Sequence, residues 1–310
     1  MGKKRYAIHR DFRLMRRFTP VVNRFTMSLV NIIIGMLPKF TSSMPNVRRE
    51  RLTIPSFDKK PVKAYIFSPK EAEEKLPCLV YFHGGGFMIR GVFTHYTNVR
   101  QYAELARCRV LYVDYRLAPK HPFPIPEKDC FFAYKWALEN AEKLGILRDY
   151  IAVGGDSAGG SLACSVGLLA KEHGCPLPCF MLLIYPVITD EMNTESMRLY
   201  TDTPAWNARL NRKMWELYLN GAKFHPPFVP DAAAPAYIET AEFDCLRDEG
   251  KAYYDFLLDC GCPAELNETK GTLHGYDFFR RSRITADSMA KRVNALKNAF
   301  YGTSQNSSDA

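Results

Sequence analysis

Along this chain, short runs of apolar residues alternate with longer segments in which apolar side chains recur every three or four positions. The runs at 62–67, 78–83, 110–115, 150–154 and 180–185 are too short for helices and predict buried strands. Segments 96–106, 127–144 and 161–172 carry the helical period between them. Alternation of this kind predicts an α/β fold, a mostly parallel central sheet flanked by helices on both faces. The rhythm breaks at 188–230, where Thr201 to Trp206 is followed by a capped amphipathic helix containing Met214 to Leu219. It resumes with strands at 236–243 and 264–267 and a helix at 246–258 between them.

Another apolar stretch, Phe25 to Leu37, lies outside the sheet pattern. Its uncharged run is only about 14 residues and includes Ser28 and Asn31, whereas a membrane-spanning helix needs roughly 20 apolar residues. No Ala-x-Ala-like cleavage site follows it. It therefore reads as an amphipathic helix folded over the domain. The expected layout is a cap segment at 1–45, a first part of the core at 46–187, a cap insertion after the sixth core strand at 188–230, and a second part of the core at 231–302. A polar tail at 303–310 gives no reason to order.

With 310 residues, 47% of them hydrophobic and 24% charged, the chain can bury an extensive core as a single domain. A net charge of +9 suggests nucleic acid until its distribution is considered. Eight basic side chains against Asp11 stand in the first 24 residues, and the remainder is nearly neutral. No nucleic-acid partner and no stable membrane insertion are expected; loose association of the basic start with a membrane surface stays open. Nine cysteines contain no Cys-x-x-Cys pair, and Cys260-Gly261-Cys262 has no second pair in metal-ligand spacing. These features imply a reduced, cytoplasmic protein without a metal site.

The chemistry concentrates in a few motifs. Gly155-Asp156-Ser157-Ala158-Gly159 lies between an apolar strand and a helical pattern. A serine at such a strand-to-helix turn needs small neighbours, and the turn aims the first amides of the helix, beginning with Ala158, at charge gathering beside the hydroxyl. His83-Gly84-Gly85-Gly86-Phe87 follows a buried strand. Its glycines leave amides uncovered for an oxyanion, and no Lys-Ser or Lys-Thr pair follows to make it a phosphate loop. In hydrolases with this turn the order is serine, acid, histidine. Of seven histidines only His274 falls late enough. Asp244 stands at the C-terminal end of the 236–243 strand, where catalytic groups collect in α/β sheets; Asp248, in the opening turn of the next helix, is its rival.

Together with Tyr115-Arg116-Leu117-Ala118-Pro119 and Leu246-Arg247-Asp248-Glu249, these ordered motifs make residues 60–300 resemble the hormone-sensitive-lipase-like family of α/β hydrolases, particularly its microbial carboxylesterases. The resemblance implies an α/β-hydrolase fold with a helical N-terminal cap. It implies a triad of Ser157, Asp244 and His274, an oxyanion hole from Gly85, Gly86 and Ala158, and supporting roles for His83, Gly84 and Asp156. The chain departs from the family pattern at Cys245, where proline is usual, and at Lys120, where glutamate is usual. The implied activity is a cofactor-independent serine carboxylesterase acting on small short-chain acyl esters through an acyl-enzyme. Acetyl esterase activity on carbohydrate or xenobiotic esters, and amidase activity, use the same groups; a non-catalytic receptor would have lost a triad member. The oligomeric state is not set by the sequence.

Overall fold

A computed structural model describes residues 6–17, 19–36, 45–72 and 74–302. The expected tail at 303–310 and Leu37 at the end of the apolar stretch lie outside the described residues. Eight strands form one sheet: β1 (Val47–Pro55), β2 (Pro61–Pro69), β3 (Leu76–Phe82), β4 (Arg109–Asp114), β5 (Ile146–Asp156), β6 (Met181–Ile184), β7 (Ala236–Ala241) and β8 (Ala264–Thr269). Their spatial order is β1-β2-β4-β3-β5-β6-β7-β8. All pairs from β4 onward are parallel, while β1 pairs antiparallel with β2 and β2 with β4.

The apolar runs become strands because both faces of the sheet are covered. Every residue of β3 is buried. Alternate side chains then feed two cores: Val80, Phe82, Val153 and Ile238 face one layer, and Leu79, Tyr81, Ala152 and Tyr237 the other. Helices α2 (Phe93–Leu105), α3 (Ile125–Glu139), α4 (Ala158–Glu172), α7 (Arg247–Asp259) and α8 (Arg283–Tyr301) cover the sheet, with α1 (Arg24–Met36), α5 (Glu195–Leu199) and α6 (Ala208–Leu219) completing the helical set. Strand β1 has no counterpart in the sequence reading. It lies at the sheet edge with Arg48, Arg49, Glu50 and Arg51 exposed, so it lacks the apolar signature of the inner strands.

The helices α5 and α6 fall between β6 and β7. The N-terminal segment packs first on the β8 end, where Ile8 and Phe12 are buried and the His9 amide donates to Gly271 O at 2.8 Å. Helix α1 then reaches the other side of the site. The Arg24 guanidinium donates to Asn220 Oδ1 at 3.2 Å, tying α1 to the end of α6. Helix α1 gathers Arg24, Ser28 and Asn31 on one sector, and much of its apolar surface faces outward: Met27 is buried, while Phe25, Leu29, Ile32, Ile33 and Met36 are exposed. Among the described residues no helix is long and apolar enough to cross a membrane.

One buried acid links the helical layer to pH. Glu127, in the first turn of α3, is buried against α4 and accepts a hydrogen bond from Ser165 Oγ at 3.0 Å. Burial pushes its carboxyl up to about 8. The folded chain thus holds this proton after the unfolded chain has released it near 4.5. The contribution to stability is fully present below that pH and is lost as pH rises through 8, each tenfold change in proton affinity being worth about 1.4 kcal/mol. Denaturant titrations of wild type and Glu127→Gln between pH 5 and pH 9 should show the wild type losing stability with rising pH and the variant staying flatter. Parallel curves would place no buried proton at Glu127.

Candidate active site

Ser157 ends β5 and begins α4 with φ +55° and ψ −120°, a backbone conformation that L side chains rarely adopt. It persists because its neighbours hold it on both sides. The Ser157 amide donates to Ile184 O at 2.8 Å, and its carbonyl accepts from Gly160 N at 3.0 Å and Val187 N at 3.1 Å. The glycines are steric requirements. A Cβ on Gly159 would lie 1.9 Å from Phe82 O, and one on Gly160 2.6 Å from the Pro186 side chain.

Beside this turn, the loop after β3 folds with Gly85 at φ +109° and Gly86 at φ +60°. Among the described residues the amides of Gly85, Gly86 and Ala158 donate to no protein acceptor. They are available to negative charge near Ser157. The Asp156 carboxylate fixes this loop to the turn: Oδ1 accepts from Tyr81 O–H at 2.7 Å and Gly84 N–H at 3.1 Å, and Oδ2 lies 3.1 Å from His95 Nε2. Burial opposes its charge, but His95 and the Tyr81 hydroxyl outweigh burial and hold the carboxyl well below the usual range. His83 donates from Nδ1 to Gly84 O at 2.7 Å and stacks on Tyr115, whose hydroxyl donates to His83 O at 2.7 Å. Burial pushes His83 down to about 4, so it stays neutral.

His95 was not singled out by the sequence. Its Nδ1 accepts from the Val92 amide at 3.0 Å, which leaves Nε2–H to donate to Asp156. The available signal was its place in the first turn of α2, directly behind the glycine loop.

His274 lies in the loop after β8, and Asp244 three residues beyond β7. The structure brings them together: His274 Nδ1 is 2.6 Å from Asp244 Oδ2, and His274 Nε2 is 2.9 Å from Ser157 Oγ. A proton on Nδ1, held by the carboxylate, leaves Nε2 as the acceptor for the serine hydroxyl. Asp244 is fully buried, and its other oxygen accepts from Leu246 N at 3.0 Å. The rival, Asp248, is used elsewhere: it accepts from the Ser196 amide at 2.7 Å and pairs with Arg247 at 2.7 Å.

The histidine loop has its own anchor. Asp277 accepts from Tyr185 O–H at 2.5 Å and from buried Arg292 at 2.8 Å, and Arg292 also pairs with buried Glu239. The Tyr185 ring, at φ +35°, stands edge-on to His274 with centroids 4.8 Å apart. Above Ser157 opens an apolar pocket of about 790 Å³. Met27, Val30 and Ile34 of α1 line one side and Trp206, ahead of α6, another. Among the described residues no group of three or more His, Cys, Asp or Glu side chains could hold a metal ion.

Comparison with known proteins places these features in context. A family model described as the alpha/beta hydrolase fold matches residues 79–278. Carboxylesterase NlhH of Mycobacterium tuberculosis is 33% identical over 270 residues, covering 83% of this chain and 85% of the relative. The crystal structure of esterase LipW from Mycobacterium marinum superposes with a TM-score of 0.87 at 28% identity, covering 95% of this chain and 96% of that one. A structure of a bacterial heroin esterase gives 0.76 at 32% identity, covering 88% and 89%.

The steric demand at the turn is directly testable. Overpacking costs roughly 1–3 kcal/mol where side chains can shift. At Gly159 the obstacle is the Phe82 backbone, so Gly159→Ala should exceed that loss in a denaturant titration. Gly35→Ala in α1, whose nearest neighbour would be the Arg90 side chain at 3.8 Å, should be neutral or stabilise by up to about 1 kcal/mol. Equal stability of the two variants would contradict the close approach.

Proposed function

We propose, for a chain that belongs to the hormone-sensitive-lipase-like family of α/β hydrolases, a serine carboxylesterase that hydrolyses short-chain acyl esters through an acyl-enzyme. The reading is carried by the relay of Ser157, His274 and Asp244, at 2.9 and 2.6 Å, set beside three uncommitted amides. His274 takes the proton of Ser157 as the hydroxyl adds to the ester carbonyl. The amides of Gly85, Gly86 and Ala158 hold the oxyanion, and His274 returns the proton to the departing alcohol. Water then adds to the acyl carbonyl, giving its proton to His274, which passes it to Ser157 Oγ as the C–Oγ bond breaks and the acid leaves. Asp244 keeps the imidazole oriented and stabilises its charged form.

The acyl arm is assigned to the apolar pocket between the two cap pieces, 1–45 and 188–230. Trp206 and Met214 crowd Gly86: a Cβ there would lie 3.2 and 3.4 Å from them. This supports a covered site with limited room beside the oxyanion loop. The substrate is a small-molecule ester, and the free cysteines, five of them fully buried, support a reducing cytoplasmic setting.

Ser157→Ala or His274→Ala should lower turnover of an aryl acetate by about four to six orders of magnitude, because the relay acts as a unit. Asp244→Asn should cost about four orders, and Asp248→Asn should remain within tenfold. A folded Ser157→Ala with normal turnover would end the mechanism, and the reverse ranking of the two aspartates would move the acid. Across aryl esters from acetyl to dodecanoyl, kcat/KM should peak at hexanoyl or below, since each misfitting methylene shifts discrimination by roughly 1–3 kcal/mol. A maximum at dodecanoyl would remove the short-chain assignment. Matched amides should turn over far more slowly than esters; equal rates would make the chain an amidase.

A further inference from the structure

A soluble helix normally buries its apolar face. Helix α1 gathers Arg24, Ser28 and Asn31 on one narrow sector and turns apolar side chains both to the pocket and to solvent. Its inner positions Met27, Val30 and Ile34 line the pocket above Ser157, and Asn31 on the same side grips the oxyanion loop: its Nδ2 donates to Met88 O at 2.7 Å and its Oδ1 accepts from Arg90 N at 2.9 Å. The outer positions Phe25, Leu29, Ile32, Ile33 and Met36 fall at helical spacings of four, three, one and three, so they form one stripe. All five are about half exposed or more, with Phe25 at 78% and Met36 at 79%.

The stripe continues onto neighbouring segments. Leu14 and Val21, 71% and 64% exposed, both line the pocket and face solvent, as does Phe278 at 42%. Three exposed apolar side chains thus line the catalytic pocket itself, and the helix that forms one of its walls carries five more on its outer face. Isolated surface leucines carry no message, but a contiguous apolar patch around a pocket mouth marks an interaction surface.

Charge selects the partner. The same segment holds most of the chain's positive excess: eight basic side chains against Asp11 in the first 24 residues. Arg10 and Arg13 are exposed in the same short helix as Leu14, and Arg24 is exposed at the start of α1. Arg280 and Arg281 outnumber Asp11 in a depression that also holds Phe93 and shares Phe278 and Phe279 with the ester pocket. An apolar helical face too short to cross a bilayer, with arginines at its start and on the segments that carry Leu14 and Phe278, suits the plane of a membrane interface, where apolar side chains enter the acyl boundary and cations meet anionic headgroups. A second copy of this chain would bring the same positive charge against itself.

We propose that the outer face of α1, with Leu14, Val21 and Phe278, docks on an anionic lipid bilayer and turns the mouth of the pocket towards it. The proposal is independent of the catalytic reading, because binding is read without turnover. Co-sedimentation of the full chain with vesicles of equal parts phosphatidylcholine and phosphatidylglycerol tests it, against vesicles of phosphatidylcholine alone. Binding to the anionic vesicles should be at least tenfold tighter and should weaken with added salt. Phe25→Ser/Leu29→Ser/Ile33→Ser should lose at least tenfold in binding while hydrolysing a water-soluble acetate ester normally, none of the three lining the pocket. Arg10→Gln/Arg13→Gln should weaken anionic binding independently. Wild type left in the supernatant with anionic vesicles, or bound equally to both compositions, would overturn the proposal. So would a dimer in sedimentation velocity, abolished by the serine variant, in a chain that ignores vesicles, since the face would then belong to a second copy.

Discussion

The first turn of α4 lies so close to the end of β3 that a Cβ on Gly159 would sit 1.9 Å from Phe82 O, and one on Gly155 2.4 Å from the same atom. Much of the site depends on this approach. It allows Ser157 to stand clear of the sheet at the junction of strand and helix, with the Ala158 amide beside it. It also brings the loop leaving β3 against the turn, so that Asp156 reaches the Gly84 amide. Ser157 and the amides facing it are thus set by one packing contact between backbones, with little freedom to drift apart. Asp244 and His274 enter separately, from loops following the neighbouring parallel strands β7 and β8, at the end of the sheet where such loops gather.

Two buried polar networks flank the relay and keep it in register. On the oxyanion side Asp156 joins Tyr81, Gly84 and His95. Beneath the histidine loop Arg292 joins Glu239 and Asp277, and Asp277 holds the Tyr185 hydroxyl. Ions buried in this way stabilise a fold only while each keeps its partners; removing one leaves an uncompensated charge at a cost of about 3–5 kcal/mol. Their contribution here is directional. They tie strands, helices and catalytic loops at fixed distances in a region where apolar packing alone would tolerate sliding.

What could be read from the sequence divides along the same line. The glycine motifs were legible because the demand they meet is local, a tight turn or an uncovered amide. The inner strands were legible because burial on both faces leaves unbroken apolar runs. Asp244 and Asp248 remained rivals because both follow one strand closely, and what separates them is the use of Asp248 by the Ser196 amide, 52 residues away. His95 was invisible for a like reason, its partner lying 61 residues distant. Strand β1 escaped because an exposed edge strand can be charged and still pair. The apolar stretch at 25–37 was read as a helix over the domain; that its outer side stays exposed depends on what it covers, which no local pattern records.

The proposed mechanism requires a covalent acyl group on Ser157. Rapid acid quenching during turnover of an aryl acetate, followed by intact-mass and peptide mass spectrometry, measures it directly. One acetyl group should appear on the peptide containing Ser157, and its population should decay once substrate is exhausted. Steady turnover with no adduct at any quench time, or an acetyl group on a different residue, would contradict the mechanism.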